Sequence, residues 1–416
     1  MGAVIADPEA GVRANRSTCE FLKKYFAAGQ KTTHDYEEQM KLSPPSPFSQ
    51  FAFRHRGILG LVIPGIVVLS FWTPLAIEYN FFRLFPIHYD MFIVMIVGSF
   101  IGGATAEGSG AISFPVMTLI LHTPSTVARD FSAMIQTVGM TSAALSVQIM
   151  GVLIERHTLI FATIGGMVGT VLSLEFLEPV LSGEVKKMVF VSVFFSFAMA
   201  LYRLNREKKR ITYDQIQNFD LTKSIVLLCT GFIGGIFAGI GGSGIDVFSF
   251  SVITLLYRVN EKVATPTTVS LAGINSAFMV FWGNYMLKNV DQQSWDIFAV
   301  CAPLACIMSP LGTFTSSYLH RQTLAFCVYI LETAALVGAV VILQPGWKLL
   351  VFCVVLIFVC FAFYLTLEKV GKRMLTSGTA LVTPKISTSE HSETFEATGK
   401  PQQDPEIIWI RPSSNQ

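Results

Sequence analysis

Charge is scarce in this sequence. Lysine and arginine number 30 and aspartate and glutamate 28 among 416 residues, 14% in all, against 52% hydrophobic residues. A soluble domain of this size needs more charge to cover its surface, so the surplus apolar residues must face something other than water. The formal net charge of +2 is small, and no stripe of Lys and Arg is interleaved with aromatics, which excludes nucleic acid as a partner. No GxxxxGK[ST] loop occurs, so the chain has no P-loop for ATP hydrolysis. There is no HExxH and no other acidic-histidine pairing. The seven histidines, from His34 to His391, lie singly without metal-ligand spacing. No metal, no cofactor and no enzymatic activity are therefore expected. Cys19 sits in the N-terminal region, whereas Cys229, Cys301, Cys306, Cys327, Cys353 and Cys360 lie inside apolar runs. They read as small buried hydrophobes and not as a disulfide framework. The first 56 residues are polar, so no secretory signal peptide opens the sequence. Met1-Gly2 begins like a myristoylation site, but Ala6 stands where that pattern requires Ser or Thr.

What is abundant is apolar sequence in long runs, with a mean hydropathy of +0.54. Several runs reach the ~20 residues that cross a ~30 Å hydrocarbon core as helix, and charges collect between them. The runs cover 57–77, 91–121, 131–154, 158–181, 186–202, 224–257, 263–287, 295–319, 323–343 and 348–367. A Pro-Ser stretch, Ser43 to Ser49, marks the preceding tail as a flexible arm.

Two runs exceed 30 residues and are broken near their middle by glycine. The first reads FIGGATAEGSGAISFPVMTLIL from Phe100 to Leu121, and the second FIGGIFAGIGGSGIDVFSFSVITLL from Phe232 to Leu256. FIGG answers FIGG, GSG at 108–110 answers GSG at 242–244, and FPVMT answers FSVIT. Downstream, Val127-Ala128 matches Val263-Ala264, and Gly139, Ser142 and Ala143 match Gly273, Ser276 and Ala277. So ordered a series indicates an internal duplication.

The connection at 203–223 carries Arg203, Arg206, Lys208, Lys209, Arg210 and Lys223, which places it in the cytoplasm by the positive-inside rule. Arg54 and Arg56, and Lys369, Lys372 and Arg373, place both termini there too. Every basic cluster falls on one side only if each broken run dips in and returns to its own side. The expected fold is an all-α polytopic membrane protein with eight crossings and two re-entrant hairpins. It has a cytoplasmic tail over 1–56, an extra span over 57–77 and a first transporter repeat over 91–203. A basic cytoplasmic loop over 204–223 leads to a second, inverted repeat over 224–343. A last span over 348–367 and a cytoplasmic tail over 368–416 complete it. Irregular backbone at membrane depth survives only where it is buried in protein or lines a wet cavity, so the broken runs point to a solute site.

The EGSGAISFPVMTLIL and VARDFSAMIQTVGMTSAA stretches resemble the TauE/SafE family of sulfite exporters and organosulfonate permeases. So do GGSGIDVFSFSVITLL and VATPTTVSLAGIN in the second half. The likeness runs over roughly 91–345. The resemblance implies a permease for sulfite, a sulfonate or a related small anion. Ser249 and Ser251 stand where family copies often carry proline, and Glu107 lies inside the first glycine loop. The expected partners are a small anionic solute and the lipid bilayer, with homo-oligomerisation left open. An anion channel and a membrane-embedded enzyme are the rival readings.

Within this frame the substrate is expected at Gly108, Ser109, Gly110, Gly242, Ser243 and Gly244. There the serines would cap half-helices starting near Ala111 and Ile245, whose free N–H groups suit an oxyanion. Gly239, Gly241 and Gly244 also spell GxGxxG, but no strand precedes them, which argues against a dinucleotide site. Gly165, Gly166, Gly169, Gly235 and Gly239 have the spacing of helix-contact faces. Carboxylates at membrane depth are costly. Glu107 and Asp246 flank the two loops and are candidates for ion coupling. Glu175 and Glu178 read as interfacial, and Glu332 as either a packing or a functional residue. Gln136 and Asn275, with Gln148 and Asn284, are candidate cavity-lining or interhelical hydrogen-bonding groups. Arg129-Asp130 reads either as an ion pair or as an anion attractor.

Overall fold

The computed structural model describes residues 51–52, 54–206, 211–319 and 321–378. Most of both tails, and Lys208, Lys209 and Arg210, lie outside the described residues. The described residues are helical almost throughout: α1 Arg56–Glu78, α2 Tyr89–Ala104, α3 Gly110–Pro115, α4 Ser125–Ile149, α5 Arg156–Leu172 and α6 Gly183–Arg206. They continue with α7 Leu221–Gly241, α8 Ile245–Ser251, α9 Glu261–Phe281, α10 Gln292–Tyr318, α11 Arg321–Leu343 and α12 Trp347–Gly378. Several starts are set by carboxylate or amide caps. Asp220 accepts the Lys223 N–H at 2.9 Å, Asn260 that of Lys262 at 3.0 Å and Asp291 that of Gln293 at 2.7 Å.

Among the described residues, eight helices are long and apolar enough to cross a membrane. The expected number agrees, but the set differs by one. Leu221–Gly241 qualifies, although the glycine break suggested only one limb of a hairpin, and Ser125–Ile149 does not. The reason is burial. Helix α4 carries Arg129, Asp130, Gln136 and many Ser and Thr residues, and most of these are enclosed by protein and never meet lipid. By contrast, only 17% of the apolar windows of α1, α11 and α12 is buried. Those helices present Ile58, Phe71, Phe326, Val341, Phe352 and Phe358 outward.

Two helix pairs cross at backbone contact. A Cβ on Gly165 or Gly169 of α5 would collide with the carbonyl oxygens of Leu228 and Phe232, and one on Gly231 or Gly235 of α7 with those of Ala162 and Gly166. In the second pair, Gly103 of α2 meets Ser309 and Gly312 of α10 meets Phe100. Thr313 Oγ1 donates to the Gly103 carbonyl at 2.7 Å and Ser309 Oγ to that of Ser99 at 3.1 Å. Within lipid, association gains little from the hydrophobic effect, so dispersion across such close crossings holds the helices.

The two broken runs end alike. After α3 and after α8 the helix widens into a π turn, Val116–Ile120 and Val252–Leu256. A left-handed residue follows, His122 (φ 52°) and Arg258 (φ 57°). The next N–H returns to the π turn, from Thr123 to Met117 and from Val259 to Ile253, each at 2.9 Å. The two exits reach different neighbours. The Thr118 carbonyl accepts from Lys187 Nζ at the start of α6, at 3.2 Å, whereas the Arg258 carbonyl accepts the Tyr213 N–H beyond the end of α6, at 2.9 Å. The end of the bundle holding Arg56, Arg203, Arg206 and Lys223 is here termed the basic end.

The close crossings predict a sharp contrast between glycines. Gly169→Leu or Gly235→Leu forces α5 and α7 apart and should cost about 3 kcal/mol or more, the upper range for overpacking. Gly338→Leu, on α11 with nothing within 4 Å, should be neutral. Thermal unfolding of the detergent-solubilised protein checks this, and equal loss in all three variants would contradict it.

Candidate functional site

The two glycine loops meet. Gly108 has φ +74°, and a Cβ there would lie 2.5 Å from Gln136 Oε1 and 2.7 Å from Asp246 Oδ2. Glycine is thus required twice over, for the left-handed backbone and for the space. A Cβ on Gly110 would lie 2.8 Å from Ser243 Cβ. Ser243 Oγ donates to the Glu107 carbonyl at 3.0 Å, so the second loop is hydrogen-bonded to the first. Gly242 (φ +84°) fits against the Arg129 carbonyl and Ser132 of α4. Phe190 of α6 supports both runs, its ring 4.6 Å from that of Phe114 and packed against Gly241.

The capping roles differ from expectation. Helix α3 begins at Gly110 and α8 at Ile245, but the Ser109 hydroxyl makes no capping bond, and the cap of α8 is Gly244 and not Ser243. Some of the N–H groups at these starts are also already used. Gly110 N–H donates to Gln136 Oε1 at 3.2 Å, and the Gly244 and Val247 N–H groups donate to Asp246 Oδ1 at 3.1 and 3.0 Å. Asp246 therefore occupies with its own carboxylate the anion position that the start of α8 offers. Ser243 Oγ adds a further contact to it at 3.2 Å.

What remains unpartnered around the first loop is informative. Both carboxylate oxygens of Glu107, the hydroxyl of Ser109 and Nε2 of Gln136 are buried without a hydrogen-bond partner. All belong to the first loop or to the residue packed on it. The charged groups acting on Glu107 are Glu332 of α11 and Asp246. Glu332, for which the sequence leaves packing and functional roles open, is buried. Asn275 is buried too; it bonds Thr170 of α5 at 3.3 Å and lies beside Gly166, next to Ile245 at the start of α8. Gln148 is exposed and Asn284 half-buried, so neither lines an enclosed cavity.

A narrow cleft leads to the first loop. It is lined by Ala104, Thr105 and Ala106 at its inner end, and by Phe250, Glu261 and Val328 among others toward the basic end. At the opposite end sits an ion network. Arg129 Nη1 lies 3.0 Å from Glu178 Oε1, Arg129 Nη2 2.6 Å from Asp130 Oδ1 and Lys186 Nζ 2.5 Å from Glu178. Two cations face two anions, and all four are buried. Glu178 is thus a buried partner and not an interfacial residue, since the two cations compensate its desolvation. Glu175 is exposed and accepts from Trp282 Nε1 at 3.1 Å, as an interfacial residue does. Lys186 escaped sequence reasoning because it stands at the edge of an apolar run, where a lysine ordinarily snorkels to water. Two cysteines also differ from expectation: Cys229 and Cys327 are exposed on helix faces, whereas Cys301, Cys306 and Cys353 are buried. Cys19 lies outside the described residues.

These bonds predict opposite behaviour for the two loop serines. Ser243→Ala removes the link to the Glu107 carbonyl and should lower stability by about 1 kcal/mol. Ser109→Ala removes no protein partner and should leave the melting temperature unchanged. A drop for Ser109→Ala equal to that for Ser243→Ala would contradict the arrangement.

Searches of curated proteins and of solved structures returned no match. The family model for the sulfite exporter TauE/SafE matches residues 91–337, more than half of the chain and the whole of both glycine-broken runs. Membership brings with it a membrane transporter of sulfur anions. On the match and on the eight apolar helices, the chain belongs to the TauE/SafE sulfite exporter family.

Proposed function

We propose that this protein is a secondary transporter that binds one small sulfur oxyanion, sulfite or a sulfonate, between its two glycine loops. The observation that carries the reading is the hydrogen-bonded contact of the loops, in which Ser109 and Gln136 keep unspent donors beside Gly108 and Gly110. An oxyanion accepts from such donors without a buried Arg or Lys. The site residues are then Gly108, Ser109 and Gly110 with Gly242, Ser243 and Gly244. In this arrangement the glycines supply close approach, Ser109 and Gln136 donate, and Ser243 holds the second loop to the first.

The halves are read as inverted repeats. The first broken run enters and leaves beside the start of α6, and the second beside the segment that follows α6, as the contacts of Thr118 and Tyr213 suggest. Each run is then a re-entrant hairpin, one from each face, with the solute between their tips. By the positive-inside rule the basic end is cytoplasmic, and both termini lie there. The cleft then makes the described state accessible from the cytoplasm, with the Arg129, Asp130, Glu178 and Lys186 network closing the other face. Alternation between faces requires that network to part, with water reaching its charges as it opens.

Flux into proteoliposomes tests the reading. Radiolabelled sulfite uptake should saturate with concentration and show counterflow, and Gln136→Leu should reduce uptake at low sulfite about tenfold, since it removes a hydrogen bond to a charged ligand. Conductance that rises linearly without saturation would mark a channel instead.

A further inference from the structure

Glu107 is unusual among the buried carboxylates. Asp246 is held by a serine hydroxyl and two backbone N–H groups, and Glu178 by an arginine and a lysine. Glu107 has neither: both oxygens are enclosed and accept from nothing. An ionised carboxylate left in that condition lacks everything that compensates desolvation. The charged groups that act on it are of the same sign. Asp246 faces it from α8 and Glu332 from α11. Helix α4 contributes the neutral Gln136, α6 contributes Asn205 along the cleft, and Glu261 of α9 stands at the far end of that cleft. No cation acts on Glu107 in this set. A resident metal ion is a poor answer, because no three described His, Cys, Asp or Glu side chains converge as ligands.

Glu332 shares the place. Val328 lines the cleft, and Glu332 follows it by one helical turn on the same face of α11, as Glu107 follows Ala106 at the inner end. Two buried carboxyls, one on the solute loop and one on a lipid-exposed helix, thus act on each other electrostatically near the inner end of the cleft.

We propose that Glu107 and Glu332 form a proton-binding pair at the inner end of the cleft, sharing one proton. Its role in transport rests on the reading above, but its chemistry does not. The proton arrives through the cleft from the basic end and adds to a carboxylate oxygen, and no other bond changes. A protonated Glu107 is a hydrogen-bond donor beside Ser109 and Gln136, whereas an ionised Glu107 repels an anion from the same spot. When the proton leaves the pair for solvent, the donor is lost and the anion is expelled. One proton therefore accompanies each anion. Glu332 is a positioning residue, since it sets where the proton rests without touching the solute.

Infrared spectroscopy of the purified full-length protein tests the pair without any solute. Near neutral pH the wild type should show the carbonyl stretch of a protonated carboxyl in an apolar setting, sensitive to exchange into D2O. Glu107→Gln should abolish that band and Glu332→Gln should abolish or displace it, whereas Glu261→Gln should leave it intact. If Glu107→Gln fails to assemble, Glu332→Gln decides alone. A wild type without the band, or a band unaltered by Glu332→Gln, would overturn the proposal while leaving sulfite flux, and so the transport reading, to be judged separately.

Discussion

Two stretches of irregular backbone, 105–109 and 242–244, are buried against each other at the centre of the bundle, and the rest of the structure serves that contact. Loop backbone exposes N–H and C=O groups that lipid cannot satisfy, at a cost of several kcal/mol for each one left unpaired. The contact solves this internally. One loop's serine bonds the other's carbonyl, Gln136 accepts the Gly110 N–H, and Asp246 accepts the N–H groups of its own turn. Glycine at 108 and 110 is the condition for this, because any side chain there would displace Gln136, Asp246 or Ser243.

The scaffold then follows from the need to keep lipid and bulk water away from that contact. Helices α4 and α9, rich in Ser and Thr, are polar because they are enclosed. Helices α1, α11 and α12 are apolar because they are not. The crossings of α2 with α10 and of α5 with α7 reach backbone contact through glycine, which fixes the limbs that carry the loops. Buried charge is paired with compensation at two places. Arg129, Asp130, Glu178 and Lys186 neutralise one another, and Asp246 is wrapped in donors. Glu107 stands apart from this pattern, at the place where a solute and a proton would have to meet.

Much of this was legible in the sequence, because the signals are local. Runs of apolar residues gave the helices, and the repeated FIGG, GSG and FPVMT or FSVIT elements marked the two equivalent breaks. The agreement of the π turns and of the left-handed His122 and Arg258 extends that equivalence into backbone conformation. What depends on contacts between distant segments was not legible. Nothing local shows that Gln136 would take the Gly110 N–H or that Asp246 would cap its own helix in place of a ligand. Nor could hydropathy distinguish Glu178, paired to Lys186, from the exposed Glu175 three residues earlier, since both lie at the same end of one run. Asn275 has the credentials of Gln136, a buried amide on the equivalent helix, and its bond to Thr170 of α5 is equally invisible in the sequence. The membership of the TauE/SafE family, by contrast, rests on the duplicated glycine pattern that the sequence displays openly.

The central claim is that both halves build a single solute site. Equilibrium binding of radiolabelled sulfite to the purified full-length chain measures this directly, by stoichiometry. A shared site holds one sulfite per chain, and Gly108→Ala in the first loop or Gly244→Ala in the second should each abolish binding in protein that remains monodisperse. Two sulfites per chain, with either substitution sparing half of the binding, would show that each half carries a site of its own and would contradict the account.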